Sequence, residues 1–439
     1  MKRSILTLSL LSALAVTSCQ RDFDEVTPQR EPQASETGST TTPARAFLST
    51  QGAEAGVLYF RIQRSAKSSL RAFDANGASM SSLPSQMAQS LRSIGTESLE
   101  PLFPIDPRFE ERMRREGLDL WYVVRFNKQQ DLQAAMQTLA STPEIEYTEP
   151  VYEIARPTGK AVAVDAPRRS DAPAAPFDDP MLGDQWHYNN TGRFSRSVAG
   201  ADIGLFKAWE KETGKPNVIV AITDGGIDIT HPDLKDNLFV NQKELNGQEG
   251  VDDDGNGFID DINGFNFIHN NGKIYPDDES HGTHVAGTVA ARNNNGIGVA
   301  GTEGSGARLM SCQIFGGERE GGNSANAIVY SANNGAVISQ NSWGYIYKAN
   351  ITAIPQSQKA AIDYFIKYAG CDKDGNQLPN SPMKGGVVIF AAGNDGLDYR
   401  SFPGAYPPVV AVASMAPDWK SAYYSNRGDW VDITAPGGD

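Results

Sequence analysis

The chain has three cysteines in 439 residues, and one of them, Cys19, ends an N-terminal apolar run. Cys312 and Cys371 remain, enough for one bridge at most, so no disulfide framework holds this fold. Two separate thiols are expected, Cys312 inside an apolar strand. Basic charge is in deficit: 39 Lys and Arg stand against 53 Asp and Glu, a net charge of −14. Phosphate binding needs a basic face, so nucleic-acid partners are excluded, and the acidity is that of a solvated surface. The apolar run at 5–16 is too short to span a bilayer. Neither a His-Glu-x-x-His zinc pattern nor a Gly-x-Ser-x-Gly turn occurs in the sequence.

What is present is clearly segmented. Lys2 and Arg3 ahead of the apolar run read as an export signal. Two endings compete. ALA at 13–15 suits ordinary cleavage, whereas VTSC at 16–19 resembles a bacterial lipobox, in which Cys19 becomes the lipidated N-terminus. A small-residue run ending in cysteine favours the second. Residues 1–19 are therefore expected to be a lipoprotein signal peptide. The protein is expected at the outer membrane or cell surface, with a lipid anchor to the membrane through Cys19; a secreted or periplasmic form is the alternative. Asp22, Asp24 and Glu25 behind Cys19 resemble surface-export signals of some bacterial lipoproteins. Residues 20–46, rich in Pro, Ser and Thr, read as a flexible tether.

Residues 47–156 contain the strand-like stretches VLYFRI (57–62) and WYVVRF (121–126). Leu132, Met136 and Leu139 repeat at helical spacing, and IEYTEPVYEI (145–154) returns to strand, which predicts a small α+β domain. Residues 157–177, Pro- and Ala-rich, read as a linker with a dibasic candidate cleavage point at Arg168-Arg169. From 178 to 439 the texture changes. Continuous apolar runs at 218–222, 387–392 and 409–413 are typical of buried parallel strands. The helix expected at 357–369 puts Ile362, Phe365, Ile366 and Ala369 on one face. The expectation is an α/β fold, a three-layer αβα domain with a mostly parallel sheet, carrying its chemistry at the carboxyl ends of strands.

Candidate residues fall at such ends. Asp224 follows the run ending at Thr223 and precedes Gly225-Gly226. His281 opens HGTHVAGTVAA (281–291), whose Gly and Ala content demands tight burial. His281 and His284 lie one helical turn apart, but a zinc site wants a third ligand and none is signalled. Asn394 in VVIFAAGNDG lies just past an apolar strand, where an amide can donate to a developing oxyanion. Ser342-Trp343-Gly344 is another strand exit, along which an extended peptide can lie.

In that order, these residues resemble subtilisin-like serine proteases over residues 178–438. By that resemblance Asp224 orients the imidazole, His281 is the general base and Asn394 is an oxyanion donor. Ser342, Trp343 and Gly344, with Ala391, Ala392 and Gly393, would flank the substrate's side-chain pocket, and protein or peptide substrates are implied. The family usually has an aliphatic residue before the aspartate and Ser, Thr or Asp after it. Thr223 and Gly225 stand there instead, which predicts a less firmly held Asp224. LDLWYVVRF, the helix after it and EIEYTEP look like the family's propeptide domain, which assists folding and blocks the active site. The chain's own propeptide domain is thus an expected partner.

The family's nucleophile lies in Gly-Thr-Ser-Met-Ala, after a stretch ending like ITAPG. ITAPG is present at 433–437, but Gly-Thr-Ser occurs nowhere. Ser414-Met415-Ala416 imitates part of the motif, yet Val412-Ala413 precede it and no apolar helical face follows. A chain incomplete at its C-terminus, inactive as it stands, is expected; the alternative is a surface lipoprotein using the fold as a binding scaffold. In VDDDGNGFIDDING, Asp252, Asp254, Asn256, Phe258 through its carbonyl, and Asp260 stand at positions one, three, five, seven and nine of an EF-hand-like calcium loop, with Gly257 at six. The twelfth position is Asn263 rather than Glu, for which Asp261 compensates; an acidic surface turn is the competing reading.

Overall fold

Side chains along the strand Trp121–Phe126 (β3) sort strictly by face. Tyr122, Val124 and Phe126 enter one apolar cluster, Trp121 and Val123 another. This is the alternation a two-sided sheet requires. β3 lies second in a four-stranded antiparallel sheet with Thr96–Pro101 (β2) on one side and Ala53–Ile62 (β1), then Ile145–Tyr152 (β4), on the other. Helices Ser85–Ser93 and Leu132–Ala140 cover one face with Met87, Leu91, Met136 and Leu139. Asp131 caps the second helix, Oδ1 accepting from Ala134 N–H at 2.7 Å. In the computed structural model residues 48–68, 70, 83–156, 175–277, 280–316 and 322–438 are described. The export signal, Cys19, the tether and most of the linker, including Arg168-Arg169, lie outside them.

The second sheet has seven strands, every neighbouring pair parallel, in the order β13, β12, β11, β9, β6, β8, β7. The central strands are Ile219–Gly225 (β6), Ile338–Asn341 (β9) and Val387–Ala391 (β11). They are flanked by Arg308–Phe315 (β8) and Gly264–Asn266 (β7) on one side and by Val410–Met415 (β12) and Ile433–Pro436 (β13) on the other. Val220 and Ile222 of β6 pack with Ala286 and Ala290 of the helix His281–Ala290, whereas Ala221 faces the cluster of helices Ser324–Asn333 and Gln356–Tyr368. Three layers result, α/β in class. Cys312, in β8, and Cys371 are free and buried.

The outer face of the antiparallel sheet shares a core with the layered domain: Trp121, Val123 and Ile154 lie in one cluster with Ile328, Ile362 and Phe365. Polar groups fix the register. Arg112 is fully buried; its guanidinium donates to Tyr364 Oη (2.7 Å), Asn333 Oδ1 (2.7 Å) and the carbonyls of Cys371 and Asp372 (3.0 and 2.9 Å). Glu149, also fully buried, accepts from the backbone N–H groups of Gln356 and Ser357 (2.7 and 3.0 Å) at the start of a helix.

Burial pushes the Glu149 carboxyl up to about 7, against the pull of those hydrogen bonds. The folded chain therefore keeps this proton where the unfolded chain, with an ordinary pKa of 4.5, has lost it. Between those values the unfolded state binds fewer protons, so stability is lost as pH rises. Glu149→Gln is expected to remove a loss on the order of 2–3 kcal/mol between about pH 5 and 7, read by denaturant unfolding of both chains across that range.

Candidate active site

β9 lies between β6 and β11, and the three run in register: Thr223 and Phe390 both stand opposite Asn341. Asp224, Ser342 and Ala391 thus leave the sheet at neighbouring carboxyl ends, about 5 Å apart from strand to strand. Asp224 is fully buried. Its Oδ1 lies 2.7 Å from His281 Nδ1 and accepts from Gly225 N–H at 2.7 Å. A carboxylate only accepts, so Nδ1 carries the hydrogen and Nε2 keeps its lone pair. The His281 side chain is 23% exposed, so the free face of the ring is open to a ligand.

Two missing Cβ atoms make this contact possible. A Cβ on Gly282 would meet Gly225 O at 2.1 Å, so only glycine lets the helix come this close to β6. A Cβ on Gly225 would stand 1.7 Å from Asp277 Oδ2. The place of a residue-225 side chain is thus taken by Asp277, which does not serve Asp224. Asp224 Oδ2 has no hydrogen-bond partner among the described residues. Asp277 Oδ1 instead accepts from His281 N–H at 3.2 Å, meeting the first free amide of the helix.

Asn394 stands exposed on the turn after β11. Asn426, buried, braces that turn: its Nδ2 donates to Ala392 O (3.1 Å), and its Oδ1 accepts from Asp395 and Leu397 N–H (3.0 and 3.2 Å). Gly393 has φ +102°, and a Cβ there would meet Asn426 Nδ2 at 2.4 Å. Along the other wall Ser342 Oγ accepts from Gln340 (2.6 Å), and the buried Trp343 rests against Phe390, ring centroids 5.1 Å apart. Gly344–Tyr345 (β10) pairs antiparallel with Ile154–Ala155 (β5), and Ile346 N–H donates to Glu153 O at 3.2 Å. The last residues of the N-terminal unit therefore lie as an extended peptide on that strand edge. Ser414 sits within β12, its Oγ 2.8 Å from Tyr424 Oη.

The acidic loop contributes to a different group from the EF-hand-like set. Carboxylate oxygens of Glu244, Asp254 and Asp261 lie within 4.8 Å of one another. Asp254 is common to both sets. Asp252 accepts from Gly255, Asn256 and Gly257 N–H and Asp260 from Gly250 N–H, so their carboxylates hold the loop's own backbone. The Asn256 Oδ1 accepts from Phe258 N–H (2.7 Å), and the Phe258 ring is buried. Burial pushes Asp261 up to about 7. Arg108 of the N-terminal unit donates to Asp254 Oδ2 at 3.0 Å. Glu244, Asp277 and Asn426 were not reached from sequence. The acidic run ahead of the His281 helix is a capping signal that pointed near Asp277; Glu244 and Asn426 had none.

An imidazole held by a buried carboxylate thus stands at the carboxyl edge of a parallel sheet, beside a strand edge carrying extended peptide, in an α/β fold. A model described as the Subtilase family matches residues 215–439, and one described as the N-terminal of the Subtilase family matches residues 65–192. The chain belongs to the subtilase family, as a precursor with its N-terminal domain. Subtilisin-like protease 1 of Plasmodium vivax is 32% identical over 237 residues, 50% of this chain and 35% of that protein. The thermophilic serine proteinase of Bacillus sp. (strain AK1) is 29% identical over 313 residues, 70% of this chain and 59% of that protein. In each case the match spans less than two thirds of the relative's length. The crystal structure of fervidolysin from Fervidobacterium pennivorans shares the fold at a TM-score of 0.54 and 21% identity, covering 88% of this chain and 47% of that one.

Gly282→Ala is expected to push the helix away from β6 and destabilise the chain by about 1–3 kcal/mol. Gly287, in the same helix, has open space where a Cβ would go. Gly287→Ala is expected to be stabilising by about 0.5–1 kcal/mol. Urea unfolding of the two variants checks the contrast.

Proposed function

We propose that the chain is the precursor of an exported serine endopeptidase, anchored through Cys19, whose peptide-cleaving apparatus includes Asp224, His281 and Asn394. The 2.7 Å contact between Asp224 Oδ1 and His281 Nδ1 carries the reading. With Nδ1–H committed to the carboxylate, Nε2 accepts a hydroxyl proton as general base, and the nearby carboxylate stabilises the imidazolium that forms. Asn394 donates to the oxyanion as the carbonyl becomes tetrahedral. The substrate backbone adds a strand to β10 beside Ser342, Trp343 and Gly344, with Ala391, Ala392 and Gly393 as the opposite wall. The pairing of β5 with β10 supports an autoinhibited precursor, since the segment in the substrate's place is the chain's own.

The attacking serine is not supplied by these residues: Gly-Thr-Ser is absent from the sequence. Ser414, inside a strand with no helix behind it, does not take its place. A fluorophosphonate probe on the native gene product tests the reading. Labelling at one serine, lost on His281→Ala, is the expected result. No labelling would favour the absent motif's other reading, an inactive surface protein that keeps the fold as a binding scaffold.

Calcium belongs to the acidic loop in this proposal. Glu244, Asp254 and Asp261 offer the hard oxygen donors the ion prefers, and it would relieve the crowding of buried carboxylates. Calcium is expected to raise the melting temperature by a few degrees, and Asp254→Ala to abolish the gain; scanning calorimetry with and without a chelator decides it.

A further inference from the structure

The segment lying on β10 ends in a cation, and the cation is held. Arg156 directly follows Ala155 of β5, and its guanidinium forms an ion pair with Asp277 Oδ2. The Asp277 side chain is 1% exposed and that of Arg156 16%. The other Asp277 oxygen accepts from the N–H of His281, the first residue of its helix. One carboxylate thus joins the peptide in the groove to the element that carries the imidazole. The space it occupies exists because residue 225 is glycine; a Cβ there would also come within 3.3 Å of Arg156 Nη1. Phe315, at the end of β8, forms a wall, its ring centroid 5.9 Å from the guanidinium carbon.

These contacts make a subsite with a charge requirement. A peptide on β10 covers Asp277 and takes it out of water. If the covering residue is Arg, the carboxylate gains a charge-assisted partner as it loses solvent. If the residue is neutral, the carboxylate loses solvent without gaining that cation, which is unfavourable. Discrimination therefore comes from the penalty on the wrong peptide as much as from attraction of the right one.

We propose that Asp277 is a specificity-determining residue: the groove selects peptides with a basic residue, Arg above all, immediately after the dipeptide paired with β10. The inference rests on β10 being the substrate-binding strand and adds to it the chemistry of one subsite. The N-terminal segment, through Arg156, satisfies the same rule.

The test needs no chemical step. In the chain carrying Ala155→Pro and Arg156→Ala, the resident segment loses its ladder N–H and its cation; hydrogen exchange at the Ile346 amide verifies its release. Two labelled, C-terminally amidated peptides are then titrated, Tyr-Glu-Ile-Ala-Arg and the same sequence ending in citrulline, which has the shape of Arg without the charge. The arginine peptide is expected to bind about tenfold tighter or more, and the ratio to fall to near one on adding Asp277→Asn. Equal binding of both peptides by the Asp277 chain overturns the inference and leaves the groove reading standing. Binding of neither overturns the groove reading, and the inference with it. A second measurement uses the otherwise unaltered chain. Arg156→Lys should keep the Ile346 amide protected, whereas Arg156→Gln should cut protection about tenfold, and only while Asp277 is present. An equal loss with Asp277→Asn would mean that Arg156 merely packs, and would sink the proposal.

Discussion

The hydrogen bond between the Asp224 carboxylate and His281 Nδ1 is the constraint to which the rest of the site answers. It joins the last turn of a central strand to the first residue of a helix on one side of the sheet. A buried carboxylate is costly unless polar groups meet it, and here the imidazole and the Gly225 amide do so. Bringing them together requires the helix to touch the strand, which Gly282 permits. The Ala-rich face behind it, Ala286 and Ala290 against Val220 and Ile222, holds the helix there. Composition, packing and proton placement are thus one problem solved at one contact.

The N-terminal unit reads the layered domain at several places by different physics. Apolar side chains of β3 close the core over two helices. Arg112 satisfies buried carbonyls and amides, and Glu149 meets the opening amides of the helix Gln356–Tyr368. Arg108 sets a guanidinium against the acidic loop at Asp254, and Arg156 sets another against Asp277. Beyond the apolar core, each contact is a charged or polar group wholly or partly covered by docking. Separation of the units would leave carboxylates and amides to find water or other cations.

Features that were legible in the sequence share a physical origin. Continuous apolar runs marked β6, β11 and β12 because a strand covered on both faces leaves no polar side. The Gly- and Ala-rich stretch marked the His281 helix because close approach leaves no room for larger side chains. Asp224 and Asn394 were legible as polar residues just past such runs. Illegible features depend on residues distant in sequence. β5 and β10 are two-residue strands whose pairing no periodicity announces. Glu244 joins Asp254 and Asp261 from a short helix outside the Asp-rich run, its oxygens accepting from the amides of Asp253, Asp254 and Asp260. Asn426 braces the Asn394 turn from more than thirty residues away. Gly225 stood out as a departure, but only the fold showed that Asp277 takes the vacated space.

Proton placement at His281 is the most direct test, because the whole chemical reading follows from which ring nitrogen is bare. Nitrogen-15 NMR of histidine-labelled chain near neutral pH reports it. The account predicts a far-downfield Nδ1–H resonance for His281, with Nε2 showing the shift of an unprotonated nitrogen, and loss of that resonance in Asp224→Asn. A neutral His281 carrying its hydrogen on Nε2, unaffected by Asp224→Asn, would contradict it.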